Sequence, residues 1–181
     1  MLANCNEFLY NNRGKTLNTF GKDHTGLIRY TINNQGFRNQ HDYTKAPKYA
    51  FFGCSSVFGI GVDEHDILTS HFKNSHNYGL AGIYSNNESV INLANFINSP
   101  LFDTDVKIIF FWTERLNENI NDLIHQLPNR NIINISQGKK YANAINLPPQ
   151  IDSDVSGTHP GTKTYAIWAK IIKLLLTDAE S

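Results

Sequence analysis

The sequence predicts an α/β fold: a mostly parallel sheet with helices on both faces, in three layers. Two observations predict it. From residue 49 onward, short apolar runs alternate with segments of helical period, the pattern of parallel strands joined by crossover helices. The run from Val106 to Trp112 (VKIIFFW) is nearly all apolar, as in strands covered on both faces. The length of 181 residues suits one domain of about 150 residues with a short appendage. A chain of that size buries roughly 70% of its unfolded surface and needs no disulfide staples.

The elements follow in order. Residues 1–26 are polar and rich in Asn and Gly and read as an irregular arm. Leu27 to Ile32 is strand-like, and Asn33-Asn34-Gln35-Gly36 supplies turn chemistry before Phe37. Residues 1–48 thus form an arm with hairpin chemistry, packed on a domain over 49–181. Tyr49 to Phe52 reads as a buried strand, followed at once by Gly53-Cys54-Ser55-Ser56. A helix is expected over about 63–73, then a brief strand at His76-Asn77-Tyr78 ending at Gly79. Ser85 to Asn98 carries Val90, Leu93, Ala94 and Ile97 at helical spacing, with Ser85 and Glu88 as a capping box and Pro100 just past the end. Val106 to Trp112 is the central strand. Leu116 to Leu127 reads as a helix ended by Pro128, and Ile132 to Ile135 as another strand. Residues 136–160, with Pro148, Pro149 and Pro160, read as a long loop. A last helix runs from Gly161 to Leu176 with Tyr165, Trp168, Ile172 and Leu175 on one face.

Composition narrows the function classes. Sixteen Lys+Arg balance sixteen Asp+Glu, so no net field draws nucleic acid or anionic lipid, and neither is expected as a partner. Charged residues are 18%, below the usual value of about 25%, and asparagine fills the gap at about one residue in eight. Aromatics at 12% argue against disorder. No apolar run reaches the roughly 18 residues of a membrane span. Cys5 and Cys54 make neither a disulfide framework nor a metal-type cluster. The start, Met1 to Tyr10, lacks the basic and apolar regions of a signal peptide. A reduced, cytoplasmic setting is the expectation. Arg13-Gly14-Lys15-Thr16 lacks the earlier glycine of a phosphate loop, since position 9 is Leu. His65, His71 and His76 do not have zinc-ligand spacing, and no metal site is expected.

Open α/β sheets bind ligands beyond the carboxyl ends of their strands. Ser55, Gly79 and Glu114 fall on that edge, and His159 arrives in the loop before the last helix. A serine in a tight strand-to-helix turn sits beside backbone N–H groups that have no intrahelical acceptor, and such donors stabilise an oxyanion. Gly53 allows the turn, and Gly59 and Gly61 let the loop run close to a ligand. Histidine takes a hydroxyl proton near neutral pH. The 104 residues between Ser55 and His159 are no obstacle, because a parallel sheet returns the chain.

Phe51-Phe52-Gly53-Cys54-Ser55-Ser56-Val57-Phe58-Gly59-Ile60-Gly61-Val62 resembles the first block of the SGNH (GDSL-type) hydrolases. Asn77-Tyr78-Gly79-Leu80-Ala81-Gly82 is similar to the second block, and Gly157-Thr158-His159-Pro160-Gly161 to the last. The stretch from Tyr30 to Arg38 resembles a segment that precedes the first block in several such proteins. The resemblance spans about residues 28–176. It implies a flavodoxin-like three-layer α/β/α sandwich and a serine esterase or acetyltransferase acting on a carbohydrate or other small acyl ester, without a cofactor. It implies Ser55 as nucleophile, His159 as general base, and the backbone N–H groups of Ser55 and Gly79 as oxyanion donors. Phe58 and Glu114 are then expected to line the substrate.

Three positions depart from the family pattern. Cys54 stands where an Asp usually precedes the serine and is expected as a buried turn residue. Glu114 occupies the slot of an oxyanion-hole Asn, where a carboxylate repels an oxyanion; Asn117 is the alternative. Ser156 replaces the Asp three residues before the histidine, so Asp154 or Asp152 is left to orient the imidazole, or a backbone carbonyl does so in a Ser–His dyad. The departures at Glu114 and Ser156 motivate a second reading, a catalytically degenerate carbohydrate-binding or structural module in which Phe58 and Trp112 stack on a sugar. A nucleotide-binding protein of the same fold is a third, which leaves His159-Pro160 without a role.

Overall fold

The computed structural model of the chain describes residues 6–19, 23, 25–81, 86–112, 132–137 and 144–178. Its centre is a five-stranded parallel sheet built from β3 (Tyr49–Gly53), β4 (Ser75–Gly79), β5 (Lys107–Trp112), β6 (Ile132–Gln137) and β7 (Ile145–Leu147), in the order β4-β3-β5-β6-β7. Numbered in chain order, these strands run 2-1-3-4-5 across the sheet. Strand order reverses between β3 and β5, which pair from Tyr49↔Lys107 to Phe52↔Phe110. A crevice opens at such a switch point, outside the carboxyl ends of the strands.

Period-2 alternation sends each central strand to both faces. Phe51, Ile109, Phe111 and Ile135 pack on one side with helix α4 (Thr162–Asp178) and a 3-10 turn (Leu68–His71). Ala50, Phe52, Ile108, Phe110 and Trp112 pack on the other with helix α3 (Asn86–Ile97). Five consecutive β5 residues, Ile108 to Trp112, are at most 1% exposed, and each large apolar side chain so buried contributes about 1.5–3 kcal/mol.

Helix α4 shows why its inner face is what it is. Tyr165, Trp168, Ile172 and Leu176 are buried, whereas Leu175, expected on that face, is half-buried. At 3.6 residues per turn, position 176 returns to within about 20° of position 165, and position 175 falls about 80° short. On α3, Leu93 and Phe96 are buried but Ala94 is exposed. There the inner stripe includes the polar Asn86, Ser89 and Asn92, which an apolar periodicity does not register.

Several expectations need correction. Residues 63–73 form turns and the 3-10 turn Leu68–His71, not an α-helix. The segment 136–160 contains β7, an edge strand of three residues whose first two are exposed. The arm holds a short helix α1 (Glu7–Asn11) and two strands, β1 (Thr16–Leu17) and β2 (Tyr30–Thr31), paired antiparallel. The capping box at Ser85 and the helix expected over 116–127 lie outside the described residues.

The arm is tied into the domain. Leu9, Ile28, Tyr30 and Ile32 share an apolar cluster with Phe58, Ile60, Leu80 and Ala81. Arg38 is 1% exposed. Its Nη2 donates to Val62 O at 2.6 Å and its Nη1 to Phe58 O at 3.2 Å and to Gly59 O. Burial pulls its pKa below the ordinary guanidinium value, and the Tyr30 side chain and Glu64 push the other way. Its guanidinium also lies 4.7 Å from the Tyr30 ring centroid. The Tyr30 hydroxyl accepts from Gly61 N at 2.9 Å and donates to Asp23 Oδ2 at 2.5 Å.

Candidate active site

The turn after β3 presents Ser55. Gly53 has φ +143°, and a Cβ there would lie 2.7 Å from both Phe111 Cβ and Phe111 O, so only glycine lets β3 end this close to β5. Cys54, expected as a buried turn residue, does sit in the turn as the N-cap of the next helix without a side-chain hydrogen bond, but is half-buried. Helix α2 (Ser55–Phe58) is a single turn, closed by Gly59 in the left-handed region at φ +81°.

Three outside groups hold this short helix in place. Tyr165 on α4 donates its hydroxyl to Ser56 O at 2.8 Å; burial raises that phenol's pKa, so it stays a donor. Ser56 Oγ donates to Gln137 Oε1, at the end of β6, at 3.1 Å. Asn77 on β4 donates from Nδ2 to Val57 O at 3.0 Å. A single turn has too few internal hydrogen bonds to persist alone, so its position is a tertiary property.

The second half of the site is the loop before α4. Residues 153–160 fold back on themselves through an antiparallel bridge, Ser153↔Pro160, with Asp154 N donating to His159 O at 2.9 Å. Asp154 is 8% exposed and uses its two carboxylate oxygens differently. Oδ1 accepts from Thr158 N at 3.1 Å and His159 N at 3.0 Å, which fixes the turn. Oδ2 accepts from Ser156 Oγ at 2.6 Å and faces His159 Nδ1 at 3.6 Å. Asp152 goes elsewhere. Its carboxylate accepts from Lys163 N at 2.9 Å and Thr164 N at 2.8 Å and so caps α4.

These two halves meet. His159 Nε2 lies 3.0 Å from Ser55 Oγ, with the residues 7% and 6% exposed. A serine O–H within hydrogen-bond reach of an imidazole nitrogen is the pairing that activates a hydroxyl for attack. Comparison with family models, curated proteins and solved structures finds no match to this chain.

Of the residues expected at the site, Ser55, His159 and Asp154 are brought together. Gly79 is not an oxyanion donor here. Its N–H is taken by Asn77 Oδ1 at 2.9 Å inside β4. Its role is steric: a Cβ at Gly79 would lie 2.3 Å from Phe58 N and 2.7 Å from Val57 C. Gly79→Ala is expected to push α2 off β4 and to cost about 3 kcal/mol, the upper end for overpacking against atoms that cannot rotate away. A urea midpoint that is unchanged in this variant would refute the contact.

Phe58 is also a correction. It is 0% exposed and stacks on Tyr30 at 6.1 Å between centroids, so it belongs to the arm's core and offers no face to a substrate. Trp112 is 1% exposed, with its Nε1 donating to Asn134 Oδ1 at 2.9 Å, and cannot stack on a sugar as expected. Glu114 and Asn117 lie outside the described residues, as does Gly82, the last glycine of the second block.

The sequence does not single out Arg38, Asn77, Tyr165 or Thr158 as site-building residues, although Arg38, Asn77 and Thr158 stand in the segments that carry the family resemblance. Among the described residues no group of three or more His, Cys, Asp or Glu is placed to hold a metal ion, and no helix is long and apolar enough to cross a membrane.

The Asp152 cap makes a pH prediction. Desolvation raises its pKa, but the hydrogen bonds from Thr164 Oγ1 and from the backbone of Lys163 and Thr164, with the Lys163 charge, outweigh it and hold the pKa below the ordinary carboxylate value. A depressed folded-state pKa stabilises the fold above the unfolded value of about 3.9 and loses that contribution as pH falls through the folded value. Asp152→Ala is expected to cost about 1 kcal/mol at pH 7, as for a lost cap, with the deficit shrinking below about pH 4. Urea midpoints of both proteins across that range check it; a deficit independent of pH would count against the carboxylate.

Proposed function

We propose that this chain is a serine ester hydrolase or acyl (acetyl) transferase of the SGNH type, with that family's flavodoxin-like three-layer arrangement. Its substrate is a carbohydrate or other small acyl ester. The observation that carries the reading is the 3.0 Å contact between Ser55 Oγ and His159 Nε2 at the carboxyl edge of a parallel sheet. The strand-order switch point beside it supports the same location.

The chemistry balances on these residues. Ser55 Oγ attacks the acyl carbon, forming the C–O bond, while its proton passes to His159 Nε2. The carbonyl oxygen becomes an oxyanion and takes the Ser55 N–H, which has no intrahelical acceptor. Collapse breaks the bond to the leaving alkoxide, which receives the proton from Nε2. Water, or an acceptor hydroxyl in transfer, then gives its proton to Nε2 and attacks the acyl-serine; the bond to Ser55 Oγ breaks, and Oγ takes that proton back from Nε2.

Labelling with a fluorophosphonate and mapping the adduct by mass spectrometry tests this reading. The expected adduct is on Ser55, absent in Ser55→Ala and formed much more slowly in His159→Ala. A folded sample that takes no label would overturn the proposal.

A further inference from the structure

The contact between Asp154 and His159 is too long to be a hydrogen bond. With Ser55 as the nucleophile of the proposed function, its hydroxyl donates to Nε2, 3.0 Å away, and the neutral ring then carries its proton on Nδ1. That proton needs an acceptor. Asp154 Oδ2 is 3.6 Å from Nδ1 and Ser156 Oγ is 3.5 Å away, at or beyond the limit for such a bond. Thr158 Oγ1 is at 3.0 Å. A hydroxyl that accepts must also donate, and Thr158 Oγ1 lies 3.0 Å from Ser156 Oγ. Ser156 Oγ in turn donates to Asp154 Oδ2 at 2.6 Å, the length of a hydroxyl bonded to a charged oxygen.

We propose that Thr158 and Ser156 are positioning residues that join His159 Nδ1–H to the Asp154 carboxylate through a chain of three hydrogen bonds, in place of a direct contact. The inference rests on the reading of Ser55 and His159 as nucleophile and base. Direction is set at both ends. An ionised carboxylate has no proton to give, and Nε2 must accept from Ser55. Each hydroxyl proton therefore points toward Asp154. When Nε2 takes the Ser55 proton, Nδ1 keeps its own, and the chain polarises toward the carboxylate without any proton leaving the ring. Asp154 stays at a distance because its other oxygen is committed to Thr158 N and His159 N. Ser156, at the position where the family pattern has an acid, acts as a link to an acid two residues earlier.

The test compares Thr158→Val, which keeps the shape and loses the hydroxyl, with Thr158→Ser, which keeps the hydroxyl, and with Ser156→Ala. For p-nitrophenyl acetate, Thr158→Val and Ser156→Ala are expected to lose about 10²-fold in kcat with KM little changed, and Thr158→Ser to recover most of the rate. Wild-type kcat in both Thr158→Val and Ser156→Ala would overturn the chain. Equal loss in Thr158→Ser and Thr158→Val would also overturn it, because shape and not the hydroxyl would then matter. Imidazole ¹⁵N shifts read the same point without turnover: the Nδ1–H tautomer of His159 should dominate in the wild type and weaken in Thr158→Val. An unchanged tautomer in that variant counts against the chain. Failure of the underlying reading looks different, since the wild type would then take no fluorophosphonate at Ser55 while the tautomer shift persisted.

Discussion

Ser55→Ala is expected to abolish turnover of p-nitrophenyl acetate, with a loss of about 10⁶-fold if chemistry limits the rate. His159→Ala should lose a comparable factor, since a hydroxyl without its base is a weak nucleophile. The two losses should not add. In the proposed mechanism each removes one half of a single proton-transfer pair, whose atoms lie 3.0 Å apart, so the double variant should resemble either single one. Ser56→Ala is the contrast within the same turn. That side chain bonds Gln137 rather than His159, so a modest loss through helix position is expected. Equal rates for Ser55→Ala and the parent protein would remove the catalytic reading altogether.

Arg38→Met should produce a large loss of stability. The guanidinium satisfies the carbonyls of Phe58, Gly59 and Val62, and each buried acceptor left without a partner costs about 1–3 kcal/mol. Removing a buried cation also relieves its desolvation, which offsets part of this. The net expectation is a loss of about 3 kcal/mol, or roughly 6–12 °C in Tm for a chain of this size. Arg38→Lys should recover little, because one ammonium cannot span three carbonyls in the fork geometry of a guanidinium. Those carbonyls belong to the loop whose Gly61 lies against Asp154: a Cβ there would meet Asp154 Oδ2 at 1.8 Å. Loosening it should therefore reach the His159 turn as well. Thermal melts of the three proteins decide the matter; a Tm for Arg38→Met within about 2 °C of wild type would show that the loop holds without its clamp.

Legibility followed the physical range of each signal. Strand β5 was readable because continuous apolar burial is written directly into Ile108 to Trp112. Helix α4 was readable because Tyr165, Trp168 and Ile172 repeat at helical spacing. Strand β7 was not, since its residues Ile145 and Asn146 are exposed and its three positions carry no period. The stretch 63–73 imitates a helix because its apolar residues Ile67, Leu68 and Phe72 are buried against the sheet, but from turns rather than from a helix. The place of Gly79 in a block and the aromatic ring of Phe58 are local features, and neither contains the neighbour that decides the role: Asn77 Oδ1 for the first and Tyr30 for the second.

The order of residues was enough to specify an α/β chain with a parallel sheet, and to put a serine after the first core strand and a histidine before the last helix. Those features depend on periodicity and turn chemistry over a few residues. Folding alone decided which carboxylate faces the imidazole. Asp152 and Asp154 are two residues apart and chemically alike, yet one caps a helix and the other stands 3.6 Å from His159 Nδ1. Hydrogen-bond partners are assigned by distances of tenths of an ångström between groups far apart in the chain, and no local pattern encodes such distances.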